Sequence, residues 1–256
     1  MVRPKKHLGQ HFLKDNNIAQ KIVNSIDTNL SKNVIEIGPG MGILTDFLVK
    51  IPDIKLSLIE IDSESVDYLK NRFKEHKLAI IQDDFIKPKV NHITENCLII
   101  GNFPYNISSQ IFFKILENKE NVIQVVGMIQ KEVAERLKSP PGNKTYGILS
   151  VLLQAYYDID YLFTVNETVF VPPPKVKSAV IRISRNNRLS INCNEQLFFQ
   201  VVKMAFNQRR KTLRNSLKKM LEGKDVSNEI FSKRPEQLSV DDFIFLTQSL
   251  DIIKAE

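Results

Sequence analysis

The stretch Val34-Ile35-Glu36-Ile37-Gly38-Pro39-Gly40-Met41-Gly42 decides the fold. A short apolar run that flows into three glycines reads as a buried strand turning sharply into a helix. Glycine lets the backbone take positive φ and bring its N–H groups close to a ligand at the helix start. Outward from this turn, short β-rich runs alternate with amphipathic stretches. Strands are expected at 34–37, 56–61, 78–81, 98–100, 122–129, 161–165 and 179–183. Helices are expected at 18–26, 42–50, 63–74 (with Ser63 as N-cap) and 108–116. Such alternation predicts an α/β fold, a parallel sheet with helices on both faces. Ligands of these sheets bind outside the carboxyl ends of the strands. A polar stretch at 184–194 suits a linker, and the chain beyond it reads as helical at 195–206, 212–221, 228–231 and 240–249.

Composition mostly excludes. The 256 residues, 43% hydrophobic and 25% charged, can build a core without staples. Cys97 and Cys193 lie far apart with no Cys/His cluster near them, which argues against zinc modules and disulfide scaffolds. His7, His11, His76 and His92 show no ligand spacing; His76 and His92 are expected at the surface, and no metal is predicted. No apolar run approaches the ~18 residues of a membrane span, and the charged N-terminus lacks the apolar core of a secretory signal. The expectation is a cytoplasmic protein with no membrane partner, monomeric because no exposed apolar stripe is evident. A net charge of +7 suggests a polyanionic partner.

The glycine loop separates cofactor classes. A dinucleotide fingerprint would require glycine or alanine at position 43, where Ile43 stands, and the P-loop lysine is missing. The form is acid-x-Gly-x-Gly-x-Gly. Glu60 ends the second strand 22 residues beyond Gly38, where such folds place a carboxylate for ribose hydroxyls. Asp84, or its neighbour Asp83, ends the third and could accept from an adenine amino group. Singly each acid could be a solvated strand end. Together they describe an adenosine-bearing ligand, and the loop form favours S-adenosylmethionine.

The fourth strand opens into Asn102-Phe103-Pro104-Tyr105. Adenine N6 is a poor nucleophile because its lone pair is delocalised into the ring. Acceptors that hold its N–H groups favour a pyramidal nitrogen with the lone pair aimed at a methyl donor. The Asn102 side-chain oxygen and the Pro104 carbonyl suit that task, and Tyr105 offers a ring for a flipped base. No strong general base is needed, so positioning supplies most of the rate.

With these motifs in place, the chain resembles, over nearly its full length, the KsgA/RsmA family of ribosomal RNA adenine dimethyltransferases. The resemblance rests on Lys6-His7-Leu8-Gly9-Gln10-His11-Phe12-Leu13, the Glu36 to Gly42 loop, Glu60, Asp84-Phe85 and Asn102-Phe103-Pro104-Tyr105. It continues in Phe170-Val171-Pro172-Pro173-Pro174-Lys175-Val176 and Gln208-Arg209-Arg210-Lys211-Thr212-Leu213-Arg214. It implies a Rossmann-like class I S-adenosylmethionine-dependent methyltransferase fold over 1–187, with a small all-helical C-terminal domain over 188–256 that helps bind rRNA. Gln10, His11 and Leu13 would form part of the cofactor lid. Gly38 with Gly40, Glu60 and Asp84 would hold the methionine end, ribose and adenine, and Asn102 would also touch the cofactor. Asn102, Pro104 and Tyr105 would make the base pocket, with Phe170 stacking on the opposite face of the base. The family usually has Asn where this chain has His11, and Leu where it has Phe103. The implied reaction places two methyls on N6 of each of two adjacent adenosines in the 3′-terminal hairpin loop of 16S rRNA, within the small (30S) subunit. S-adenosylhomocysteine is the other product, and a role in subunit biogenesis follows. An Erm-type enzyme acting on 23S rRNA, and a ribosome-assembly binding factor, are the alternatives.

Arg209, Arg210, Lys211, Arg214, Lys218 and Lys219 lie in an acid-free stretch with Leu213, Leu217 and Met220 at helical spacing. A helix with one buried and one cationic face is expected, contacting RNA phosphates. Arg3, Lys5, Lys6 and Lys14 form a second basic cluster.

Overall fold

The computed structural model describes residues 2–87, 92–188 and 190–251. Position 189 of the expected linker and residues 252–256 of the expected helical domain lie outside the described residues. Along the chain run β1 (Phe12–Leu13), α1 (Asn16–Val23), β2 (Asn33–Ile37), α2 (Thr45–Leu48), β3 (Lys55–Glu60), α3 (Ser63–Arg72), β4 (Ala79–Gln82) and β5 (Cys97–Asn102). Then follow α4 (Ser108–Glu117), β6 (Val122–Gln130), α5 (Lys131–Lys138), α6 (Ile148–Gln154), β7 (Tyr157–Val165), β8 (Phe170–Val171) and β9 (Ser178–Arg185). Helices α7 (Glu195–Asn207), α8 (Leu213–Ser216) and α9 (Val240–Asp251) follow.

The chain forms two compact units, Met1–Ala134 with Ile159–Arg185, and Glu135–Asp158 with Asn186–Glu256. In the first, seven strands run in the order β4-β3-β2-β5-β6-β9-β7. β2 to β6 pair in parallel, and β9 returns antiparallel to β6. The central strands read as continuous apolar runs because both of their faces are covered: Val34, Ile35 and Ile37 of β2 and Leu98, Ile99 and Ile100 of β5 are all buried. From β2 the chain winds outward through β3 to β4, then crosses back to β5 on the other side of β2, which reverses the strand order there. The crevice at such a switch point is where ligands bind. Helix starts are capped by acids: Asp15 accepts from Asn17 and Ile18 N–H, and Asp62 accepts from Glu64 N–H and the Ser65 hydroxyl. Asp62, not Ser63, is therefore the cap of α3.

The structure corrects three further expectations. The helix expected over 42–50 holds a regular turn only at α2, because positive φ at Gly38, Gly40 and Gly42 keeps the preceding loop non-helical. The cationic helix expected over 212–221 is broken, since Leu217 (φ −104°, ψ 12°) leaves the helical basin between α8 and a 3-10 turn at Lys218–Met220. The boundary expected at 187 is close to Arg185, but Glu135–Asp158 groups with the C-terminal helices. There α6 packs on α7, and the buried Tyr146 ring meets Phe206 edge-on at 6.1 Å.

Candidate cofactor and base-binding site

The C-terminal ends of β2, β3, β4 and β5 converge on one cleft, lined among others by Gly38, Gly40, Glu60, Asp83, Asp84, Asn102, Pro104 and Tyr105. Gly38 N–H donates to the Ile59 carbonyl at 2.9 Å, holding the loop against β3. Gly40, at φ +57°, then donates its N–H to Glu60 Oε2 at 3.0 Å. Glu60 Oε1 accepts from Asp62 N–H, also at 3.0 Å. The buried carboxylate is thereby fixed by two backbone donors, and each oxygen keeps a lone pair for a ligand hydroxyl. Burial raises its pKa, and the backbone bonds to Asp62 and Gly40 oppose that rise.

Glu36 lies deeper, 1% exposed, accepting from Thr45 Oγ1 at 2.7 Å. Burial pushes its carboxyl up to about 8. It borders an adjoining cavity that shares Phe12, Gly38 and Asn102 with the cleft. The loop pattern displays the acid, but nothing in the sequence says that it is buried and so strongly perturbed.

Asp83 and Asp84 both line the cleft. The Asp83 carboxylate accepts from Asp84 N–H at 2.8 Å, which with Lys87 and His92 nearby holds it below its usual range. Asp84 Oδ1 accepts from Ile86 N–H at 3.1 Å. His92, expected at the surface, is largely buried beside Asp83.

The N-terminal segment crosses this cleft. A 3-10 turn at Lys6–Leu8 ends on Gly9 at φ +65°, where a Cβ would lie 2.5 Å from Asn106 Oδ1. Lys5 pairs with Asp62 and with Glu64, so the N-terminal basic cluster is partly neutralised. Beyond the turn, β1 pairs antiparallel with β8, placing Phe12 opposite Val171 and Leu13 opposite Phe170. The Phe12 ring lies on the glycine loop, 2.8 Å from where a Cβ on Gly40 would stand. His11 and Phe12 line the cleft, while Leu13 is buried and borders the adjoining cavity.

Asn102 Nδ2 donates to the His11 carbonyl at 2.9 Å. This bond fixes the amide, so the group left for a ligand is the acceptor Oδ1. The Pro104 carbonyl already accepts from Ile107 N–H at 3.2 Å, which leaves its second lone pair. Tyr105 stacks with His11, centroids 5.4 Å apart and 28° between planes. His11 Nδ1 is 2.8 Å from the Pro172 carbonyl. Phe170 is a correction: it is 1% exposed, within an apolar cluster that includes Leu13, Val165 and Val180, and it does not line the cleft. The β1–β8 ladder holds it in the core.

The second unit carries the expected basic residues. Arg209 is partly engaged, by the Asn143 carbonyl at 3.4 Å and Glu236 at 3.9 Å. Arg214 donates to the Val226 carbonyl at 2.9 Å. Arg210, Lys211, Lys218 and Lys219 are exposed.

Residues 1–246 match the family described as "Ribosomal RNA adenine dimethylase". The chain belongs to that family. Among its dimethylase relatives is "Ribosomal RNA small subunit methyltransferase A" of Bacteroides thetaiotaomicron, 56% identical over 98% of this chain and 95% of that protein. The protein of the same name from Flavobacterium johnsoniae is 55% identical over 98% and 97%. A dimethyladenosine transferase from Plasmodium falciparum has a similar structure, with TM-score 0.81 and 27% identity over 94% of this chain and 98% of that one. The 23S rRNA methyltransferase ErmE shares the fold, with TM-score 0.68 at 22% identity.

His11 and Phe103, where the resemblance leads one to expect Asn and Leu, both have physical partners. The Phe103 ring fits beside two strand glycines: a Cβ on Gly101 or Gly127 would lie 2.8 Å or 2.6 Å from it. His11 spends its ring on Pro172 and Tyr105, while its backbone carbonyl orients Asn102.

Proposed function

We propose that the cleft binds S-adenosylmethionine and that the chain dimethylates N6 of two adjacent adenosines in the 3′-terminal hairpin loop of small-subunit rRNA, acting in the cytoplasm as a monomer on the 30S particle. One observation carries this reading. The hydrogen bond from Asn102 to the His11 carbonyl presents an oriented amide acceptor in the same cleft as the glycine loop and Glu60.

The residues fit the cofactor. Glu60 is pre-oriented for ribose hydroxyls, and Asp84 for the adenine amino group. Gly38 and Gly40 supply a close backbone approach, and His11 and Phe12 close the site from the N-terminal side. Glu36 borders the adjoining cavity, its carboxyl held largely protonated at neutral pH by burial. Bound there, S-adenosylmethionine supplies an electrophilic methyl on a sulfonium, already an excellent leaving group. Asn102 Oδ1 and the Pro104 carbonyl hold the N6 hydrogens, and the Tyr105 ring stacks on the flipped base. With that cofactor bound, its methyl would pass to N6, the S–C bonding pair would stay on sulfur, and the N6 proton would leave to solvent. The chain contributes placement rather than acid–base chemistry. The first unit, Met1–Ala134 with Ile159–Arg185, carries this chemistry, and the exposed cations Arg210, Lys211 and Lys218, with Arg209 and Arg214, contact phosphates.

The test is methyl incorporation into unmethylated small subunits, naked 16S rRNA, large subunits and naked 23S rRNA. Labelling of small subunits alone, approaching four methyls each, supports the reading. Labelling of 23S rRNA overturns it in favour of a resistance methylase. Tight subunit binding without labelling makes the chain a binding factor.

A further inference from the structure

The Tyr105 ring is held from two directions. Its hydroxyl shares a hydrogen bond with Ser178 Oγ, 73 residues away in sequence. Ser178 is fully buried at the start of β9, where its backbone pairs with Gln130 of β6. One face of the ring is covered by His11, which is itself anchored on Pro172 at 2.8 Å. Burial raises the Tyr105 pKa, so the hydroxyl keeps its proton at neutral pH and can donate. None of these contacts reaches N6 in the reading above.

Resting on that adenine-N6 reading, we propose that Ser178 and His11 are positioning residues that fix the Tyr105 ring, and that this fixing matters more for the second methyl on each adenosine than for the first. The asymmetry comes from counting protons. Unmethylated N6 offers two N–H groups to two acceptors, Asn102 Oδ1 and the Pro104 carbonyl. The first transfer makes one N–C bond and releases one proton, which leaves a single N–H. Before the second transfer one directional hydrogen bond is therefore gone, and stacking carries a larger share of the base's orientation. A stacking ring transmits orientation only when it is itself fixed, and small misplacements of reacting atoms cost rate steeply. The second transfer releases the last N6 proton and ends in the dimethylamine.

Ser178→Ala and Tyr105→Phe each delete the same hydrogen bond, one from each side. Each should slow the second transfer about three- to tenfold relative to the first, the order expected for one hydrogen bond. N6-methyladenosine would then accumulate transiently on the rRNA. The double variant should do no more than either single one, because the two substitutions act on one interaction. The measurement is a single-turnover time course on unmethylated small subunits, with mono- and dimethyladenosine quantified in digested RNA. Equal slowing of both transfers, or an unchanged ratio, overturns the proposal. So does additivity of the two variants. If Ser178→Ala does not fold, Tyr105→Phe carries the test alone. Absence of any methyl transfer by the unaltered chain overturns the underlying reading instead, and is distinguishable from all these outcomes.

Discussion

Burial pushes the Glu36 carboxyl up to about 8; the Thr45 hydroxyl pulls it back, while Glu60 and Asp46 push it further. A carboxyl whose folded pKa lies above its ordinary 4.5 is protonated more readily folded than unfolded. Between those two values the folded chain binds the extra proton, so this group makes stability fall as pH rises from about 4.5 to about 8, and contributes no further slope above that. Glu36→Gln removes the titration and keeps an acceptor for Thr45. Denaturant unfolding of both proteins between pH 5 and 8.5 checks this. The variant-minus-wild-type difference should move in the variant's favour by about 2 kcal/mol or more across the window. A difference that stays constant with pH would mean that Glu36 is solvated. At this scale the sequence displays most of the chemistry: Gly38, Gly40, Glu60, Asn102, Pro104 and Tyr105 meet in one cleft. It cannot display burial, which is why Phe170 reads as a ring against the base and Glu36 carries no role until the fold encloses it.

Strands β5 and β6 show how one unusual side chain is accommodated. Phe103 is buried, its ring edge-on to Phe112 at 6.1 Å, and its N–H donates to the Met128 carbonyl at 3.0 Å. Gly101 and Gly127 form the notch in which the ring sits. Gly127→Ala should overpack that notch, at a cost of about 1–3 kcal/mol. Phe103→Leu, which replaces the ring with a smaller apolar side chain, should recover most of that stability when combined with it. Chemical denaturation of the two single variants and the double variant reads the coupling, and strict additivity would show that the ring is not what the Cβ meets. The sheet is legible at this scale because parallel central strands are apolar on both faces. The elements that escape a sequence reading do so for local reasons. The apolar run in α6 is too short for periodicity to separate helix from strand, and β1 and β8, at two residues each, carry no period at all. The prolines and glycine after α5 mark a loop and mask the helix before it.

Over the whole chain, the excess of seven positive charges is not spread evenly. Of the acids in the first unit, Glu60, Asp83 and Asp84 line its cleft. In the second unit Arg210, Lys211, Lys218 and Lys219 are exposed within a stretch that contains no acid. The change from α/β to helical character near residue 185 is legible in composition. The grouping of Glu135–Asp158 with the later helices is not, because packing between α6 and α7 is a long-range fact that no local pattern encodes. If the exposed cations meet RNA phosphates, each neutralised phosphate releases counterions, and affinity falls linearly with the logarithm of salt concentration. Arg210→Glu with Lys211→Glu should therefore weaken binding to unmethylated small subunits. It should also lower the magnitude of the log–log salt slope by about 1 for every phosphate no longer neutralised. Affinity for S-adenosylhomocysteine should not change, because neither residue lines the cleft. Filter binding from about 50 to 300 mM salt, the range over which counterion release is steep, makes the comparison with a parallel cofactor titration. A slope equal to that of the unaltered chain would remove these residues from the RNA interface. A matching fall in cofactor affinity would mean that the charge reversal had damaged the fold rather than an interface.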